Sequence, residues 1–286
     1  MKYDEYDLAE MLTYVRDADS NGEKEFIRKY IDSVPGMKRD GFGNRYIRKG
    51  NPDTCFACHT DTVHRWSKKP RQKVYVKKFW AFTGGENILG ADDGTGCWIC
   101  LNLIYAGVPG LYIFHRQEEC GGGGSRYIAQ HPQVLNGIKK VVSLDRKGYT
   151  DIITHQGYSE TCSKEFATAL MRQLNGRYTP CDGGIFTDSA NYVWIVPECT
   201  NLSIGYFNAH SVDEVQDLGF AKRLAKRMMG VNWKSLPVFR QVTQFDKKSI
   251  SKPYGWYGYK PATYKQYYGY RGSSGKYDDR DWYSWW

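Results

Sequence analysis

Apolar positions along the chain follow two different rhythms before they lose rhythm altogether. Leu8, Met11, Leu12 and Val15 recur at helical spacing, and Phe26, Ile27, Tyr30 and Ile31 repeat it after Asn21-Gly22. The spacing predicts two amphipathic helices within residues 3–34. From 38 to 236, short apolar runs end in polar or Gly-rich turns. Strands are expected at 54–58, 73–82, 111–115, 139–144, 151–154 and 200–206. Helices are expected at 94–106, 124–131, 159–174 and 215–230. That alternation predicts an α/β fold, a mixed and mostly parallel sheet flanked by helices on both faces. Near Pro237 the pattern stops, and from 252 onward Gly, Ser and Lys alternate with aromatics, as in Tyr254-Gly255-Trp256-Tyr257-Gly258-Tyr259. Residues 1–236 are therefore expected to form one domain. Residues 237–286 are expected to be a Tyr/Gly/Lys-rich low-complexity tail, disordered or loosely docked.

Composition refines this division. A hydrophobic content of 41% over 286 residues excludes a wholly disordered chain. The net charge is +9, which permits contact with polyanions without requiring it. The tail holds nine basic and four acidic residues, so more than half of the excess belongs to it. No run approaches 18 apolar residues, and Met1-Lys2-Tyr3-Asp4-Glu5 lacks a signal-peptide core. The expectation is a cytoplasmic protein with no membrane partner. Cys55/Cys58 and Cys97/Cys100 have the spacing of a thiolate zinc site. They sit in strand-like and helix-like apolar runs rather than in turns, so they read as buried thiols.

The candidate chemistry lies where strands end. Thr54 to Cys58 runs into His59-Thr60-Asp61, Leu111 to Phe114 leads to Glu118-Glu119, Lys139 to Leu144 ends in Asp145, and Asn201 to Phe207 leads to His210. Ligands bind outside the carboxyl ends of strands in open α/β sheets, so these residues are expected to converge. Gly90-Ala91-Asp92-Asp93-Gly94-Thr95-Gly96 adds two carboxylates at a helix start. Singly, each has a structural explanation: a cap, a solvated pair, a lone histidine. Their shared location at strand ends is what points to a site.

In order, His-x-Asp-Thr-Val, Gly-Ala-Asp-Asp-x-x-Gly, Glu-Glu-x-Gly, Ser-x-Asp and a late His resemble the co-catalytic di-zinc exopeptidases. That superfamily includes zinc aminopeptidases, tripeptidases, carboxypeptidase G2-like enzymes and deacylases. Asp40-Gly41-Phe42-Gly43-Asn44 adds a sixth match. The resemblance covers about residues 38–215. It implies two divalent metal ions, zinc first, with manganese or cobalt as alternatives. His59 and Asp145 would hold one ion, Glu119 and His210 the other, and Asp92 would bridge them. Asp61 would orient the His59 imidazole by accepting its hydrogen bond. Glu118 would be the general base of peptide or amide hydrolysis, acting on water shared by two ions. The substrate would be a short peptide or an acyl-amino acid.

The motifs mix branches of the superfamily. Gly94 stands where the tripeptidase branch carries Lys, and Ala209 where the aminopeptidase branch carries Tyr. Tyr206, Asn208 and Asp188 are carried as substrate-side candidates. Only 65 residues separate Asp145 from His210, too few for an inserted lid domain of roughly 100 residues, so a single catalytic domain without a lid is expected. The Gly121–Gly124 run has no P-loop Lys-Ser/Thr after it. It is read as letting the backbone pass close to the metals. Aminopeptidase, carboxypeptidase and deacylase activities all remain open, as does the oligomeric state. The competing function is a catalytically inactive relative whose basic aromatic tail binds a polyanion, glycan or protein partner.

Overall fold

The computed structural model describes residues 2–64, 69–157, 159–174 and 177–242. Fourteen strands are present among them: β1 (Lys38–Arg39), β2 (Arg45–Lys49), β3 (Thr54–His59), β4 (Tyr75–Lys77), β5 (Trp80–Phe82), β6 (Gly110–His115), β7 (Lys140–Arg146), β8 (Asp151–Ile153), β9 (His155–Gln156), β10 (Ser159–Glu160), β11 (Thr179–Cys181), β12 (Glu198–Ser203), β13 (Tyr206–Phe207) and β14 (Val215–Asp217). The helices are α1 (Glu5–Met11), α2 (Asn21–Phe26), α3 (Ala91–Tyr105), α4 (Gly123–Gln130), α5 (Lys164–Gln173) and α6 (Leu218–Gly230).

The main sheet has the order β1-β2-β6-β3-β7-β12-β8-β11. Its four central strands, β6, β3, β7 and β12, are mutually parallel. β3, β6 and β12 are buried along their whole length, as strands covered on both faces must be. Phe56, Cys58, Tyr112, Phe114, Val142 and Leu144 share a core with α1, α3 and α6. The alternate positions Cys55, Ala57, Leu111, Ile113 and Val141 are equally buried on the other face. There the 3₁₀ turn Asp188–Tyr192 packs against β3, β7 and β12. The fold is thus the expected mixed, mostly parallel α/β sheet. The described residues between Asp145 and His210 supply β8, β11 and β12 of that sheet, with α5 packed on β11, and no separate lid domain lies among them.

Several elements differ from the periodicity. The run 73–82 is a hairpin rather than one strand, because the chain reverses at Lys78 with φ 56°. It joins β13 and β14 in a separate four-stranded sheet, β13-β14-β5-β4. The first three residues of the expected helix 215–230 belong to β14, and the last of them, Asp217, caps α6 by accepting the Phe220 N–H at 2.8 Å. α2 continues as a π-helical turn over Ile27–Ile31. The described cysteines are all free, and Cys58 lies beside Cys97 and Cys100 in the core.

Helix α3 is buried from Ala91 to Ile104, which demands close approach to the sheet. A Cβ at Gly96 would stand 2.3 Å from both Asp93 Oδ1 and the Leu144 carbonyl. Glycine there lets the Asp92-Asp93 end of the helix sit directly on β7.

Residues 237–240 are tied to the body. Glu198, fully buried at the start of β12, accepts the N–H groups of Phe239 at 2.7 Å and Arg240 at 3.0 Å, and the N–H and hydroxyl of Ser163 at 2.7 and 2.8 Å. The expected low-complexity stretch beyond residue 242 lies outside the described residues. Replacing Glu198 by Ala removes the acceptor of four donors, two of them in buried Ser163, so it should cost about 3 kcal/mol of unfolding free energy. Denaturant unfolding measures the loss, and hydrogen exchange should show faster opening of the Phe239 and Arg240 amides. Unchanged stability and protection would contradict this account of the latch.

Candidate metal centre

β3 and β6 end side by side, with His59 opposite His115, and β7 runs parallel to β3 on its other side. This geometry delivers His59, the Glu118-Glu119 turn and Asp145 to one edge. The first turn of α3 brings Asp92, and the loop between β13 and β14 brings His210.

The five residues implied as ligands converge around Asp92. Its Oδ1 lies 3.2 Å from His59 Nε2, and its Oδ2 lies 3.2 Å from His210 Nε2. His59 Nε2 also faces Asp145 Oδ1 at 3.6 Å, and His210 Nε2 faces Glu119 Oε1 at 2.8 Å. Two three-residue sets therefore share one carboxylate, each oxygen turned to a different imidazole. His59 Nδ1 lies 3.0 Å from the Asp61 carbonyl. A carbonyl only accepts, so Nδ1 carries a proton and Nε2 is the nitrogen turned to the acidic cluster.

The strand ends at His59, so the i+2 register no longer applies, and the ring has both the Asp61 carbonyl and, at 3.7 Å, the Asp61 carboxylate beside it. The carboxylate also accepts the backbone N–H groups of Glu118 and Glu119, each at 3.1 Å. Asp61 therefore fixes the glutamate turn through one group and His59 through another.

Asp93 also comes within 4.8 Å of His59 and Asp145 ligand atoms. It is fully buried, however, and its two oxygens accept the N–H groups of His59 and Gly96 at 3.1 and 2.9 Å. Asp93 joins the helix to the strand. Asp92 turns its two oxygens to two different imidazoles.

The electrostatics record the crowding. Burial opposes charge on His210, yet Asp92 and Glu119 hold its imidazole up at about 11. His59 is likewise pushed well above its ordinary value by Asp145, Asp61 and Asp92, against its burial. Burial, and then the Asp92 charge, lifts Asp145 to about 7. Glu118 is raised by burial and by Asp145, Asp188 and Glu119, with His59 acting in the opposite direction. Glu119 Oε1 is buried, with His210 Nε2 facing it at 2.8 Å. Two imidazoles and three carboxylates gathered this closely fit a divalent cation pair, and His with carboxylate donors suits zinc, manganese or cobalt. Among the described residues, the groupings able to hold a metal contain no cysteine.

A shell that the motifs did not reveal supports this cluster. Glu214, fully buried, accepts the Gly90 and Asp92 N–H groups at 2.7 and 3.1 Å. Arg16, also fully buried, donates to the carbonyls of Thr60 at 3.0 Å and Gly90 at 2.6 Å. It ties the His59 loop to the Asp92 turn. Asn44 accepts the Arg116 N–H at 3.0 Å and donates to the Gly124 carbonyl at 3.0 Å, so it clasps both ends of the glutamate turn. Arg116 in turn pairs with buried Glu23 at 2.6 Å. His64, close in sequence to the motifs, only bridges the Arg16 N–H and the Ile88 carbonyl.

The substrate-side candidates divide. Asp188 is 1% exposed and faces His115 Nδ1 at 3.0 Å. Tyr206 is buried, with its hydroxyl directed to the Asp145 carbonyl at 3.1 Å. It holds Asp145 in place. Asn208 is exposed, but its amide donates to the Asp213 carbonyl at 3.2 Å and stabilises the His210 loop. The glycines after Glu119 make room for neighbours other than metals: Cβ atoms at 122, 123 and 124 would meet Phe186, Phe42 and Asn44.

No protein-family model matches the sequence, and no curated protein sequence does. Solved structures do share the fold. A tripeptidase from Staphylococcus aureus subsp. aureus Mu50 superposes with a TM-score of 0.64 at 13% identity, covering 79% of this chain and 96% of that one. Aminopeptidase PepT from Bacillus cereus ATCC 10987 gives 0.62 at 13% identity, over 79% and 96%. A TET aminopeptidase from the marine sediment archaeon Thaumarchaeota archaeon SCGC AB-539-E09 gives 0.61 at 12% identity, over 85% and 99%.

The supporting shell has a measurable consequence. Glu214→Ala frees the turn that aims Asp92 and should weaken divalent-metal affinity about 10–100-fold, as loss of a ligand-orienting partner does. Competition against a fluorescent chelator measures it. An unchanged affinity in a folded variant would contradict the positioning role.

Proposed function

We propose that this protein is a metal-dependent peptide hydrolase, an aminopeptidase-like exopeptidase acting on short peptides. The single observation that carries the reading is Asp92 with its two oxygens on His59 and His210, each of which faces a further carboxylate. A fold shared with aminopeptidases and a tripeptidase supports the same chemistry. His59, Asp92 and Asp145 would hold one ion, and Asp92, Glu119 and His210 the other. Bound there, two divalent ions acidify water and polarise a carbonyl.

The protein's own groups do the rest. Glu118 stands within 4.8 Å of the ligand atoms of His59 and Glu119, and its backbone is fixed by Asp61. As general base it takes a proton from water and returns it to the leaving amine. Thr187 donates to Asp145 Oδ2 at 2.7 Å and Tyr206 stands 3.3 Å from Oδ1, so the carboxylate keeps one orientation while substrate binds. Asp61 holds general base and ligand glutamate in a fixed relation, which preserves the near-attack geometry.

Metal-loaded protein should release amino acids from unblocked dipeptides and tripeptides. A chelator should abolish this, and zinc, manganese or cobalt should restore it. Glu118→Gln should lower kcat about 10²–10⁴-fold with metal content kept, whereas His59→Ala should lose metal. Comparison of free-amino with N-blocked peptides tests the aminopeptidase assignment. Metal-loaded protein that cleaves neither class overturns the reading.

A further inference from the structure

Three lysine or arginine side chains are buried among the described residues: Arg16, Arg116 and Lys140. Arg116 pairs with Glu23 at 2.6 Å, and Lys140 with Asp53 at 2.8 Å. Arg16 differs. It is fully buried, and its guanidinium bonds only to carbonyls, through Nε to Thr60 at 3.0 Å and through Nη2 to Gly90 at 2.6 Å. Its Nη1 is buried and makes no hydrogen bond among the described residues. A dry guanidinium with an idle donor and no carboxylate in contact is costly, unless its charge answers others nearby. Burial draws its pKa down, and the carboxylates of Asp93, Glu214 and Glu23 oppose that.

The start of α3 makes room for this cation. A Cβ at Gly94 would stand 2.8 Å from Arg16 Nη2, 3.1 Å from Nη1 and 3.0 Å from Leu12 Cδ2. Gly94 has no left-handed φ, so its small size, not its backbone freedom, is what the site uses. Phe26 lies along the guanidinium, with its ring centroid 4.8 Å from Cζ. The groups that Arg16 reaches lie on one side of the proposed metal centre. Thr60 follows His59, Gly90 leads into Asp92, and Asp93 accepts the His59 N–H at 3.1 Å. The turn bearing Glu119 is held by Asp61 and Asn44 instead.

We infer that Arg16 is a positioning residue that supplies an internal cation behind the metal centre: its charge offsets the buried Asp93 and Glu214 carboxylates, and it thereby keeps His59 and Asp92 set for the ion they would share with Asp145. The ion on Glu119 and His210 depends on it less. This rests on the proposed two-ion centre and assigns unequal support to its halves. Asp93 and Glu214 are spent on backbone N–H groups, so divalent ions at the ligands leave their charge to be met from behind. A guanidinium admitted by Gly94 is placed to meet it.

The test titrates the full chain, stripped of metal, with zinc against a fluorescent chelator, and needs no turnover. The unmutated chain should bind two ions. Arg16→Met, which keeps most of the bulk and removes the charge, should weaken one of them about 10–100-fold and the other far less. Arg16→Lys, which keeps the charge, should recover most of that loss. Gly94→Ala, whose Cβ displaces the guanidinium, should weaken the same ion while Arg16 is still present, and serves where Arg16→Met does not fold. Adding His59→Ala to Arg16→Met should leave the tighter ion bound, whereas adding His210→Ala should release it. Unchanged affinity in folded variants, equal weakening of both ions, or Arg16→Lys as weak as Arg16→Met overturns the inference and leaves the peptidase reading standing. Unequal loss, with no hydrolysis by the unmutated chain, upholds the inference and overturns the peptidase reading. A single bound ion overturns the inference alone, and no bound ion overturns both.

Discussion

Five acidic and imidazole groups held against one another around Asp92 are costly to bring together without a cation. Like charges a few ångströms apart in a partly dry site oppose assembly. In the protein alone, raised affinity of both imidazoles for protons offsets part of that opposition. Nothing in the hydrophobic core requires the arrangement. Backbone contacts made elsewhere enforce it, so the fold is organised to carry a strained cluster that a divalent cation would relieve.

The enforcement comes from buried side chains aimed at peptide groups. Glu214 holds the Gly90–Asp92 turn by its N–H groups, and Arg16 holds the same turn by a carbonyl while reaching Thr60 with another donor. Asp61 holds the glutamate turn, and Asn44 closes it. Each ligand-bearing loop is thus gripped from at least one other loop, and displacement of one ligand strains its neighbours. The parallel sheet supplies the coarse positions, because strands in one direction end at one edge. The polar clamps supply the ångström-level placement that loops alone do not keep.

This division of labour explains what the sequence discloses. Ligand types at the ends of apolar runs are legible, because a strand must end and His59, Asp145 and the Glu118-Glu119 pair stand where it does. The central strands are legible as continuous apolar runs. The clamps are not, since Arg16 and Glu214 act on backbone groups, and a peptide N–H has no sequence signature. The backbone contacts of Asp61 are hidden for a related reason: the i+2 rule holds within a strand, and the strand ends at His59. The hairpin over 75–82 escaped because apolar and polar residues continue to alternate through the turn at Lys78.

The absence of a lid among the described residues bears on how selectivity is built. A lidded hydrolase can close a second domain over its substrate and read side chains from both sides. Among the described residues, the loops at the edge of the sheet already hold the proposed ligands. Thr187 illustrates the economy, since it fixes Asp145 and also opens the 3₁₀ turn packed against β3, β7 and β12.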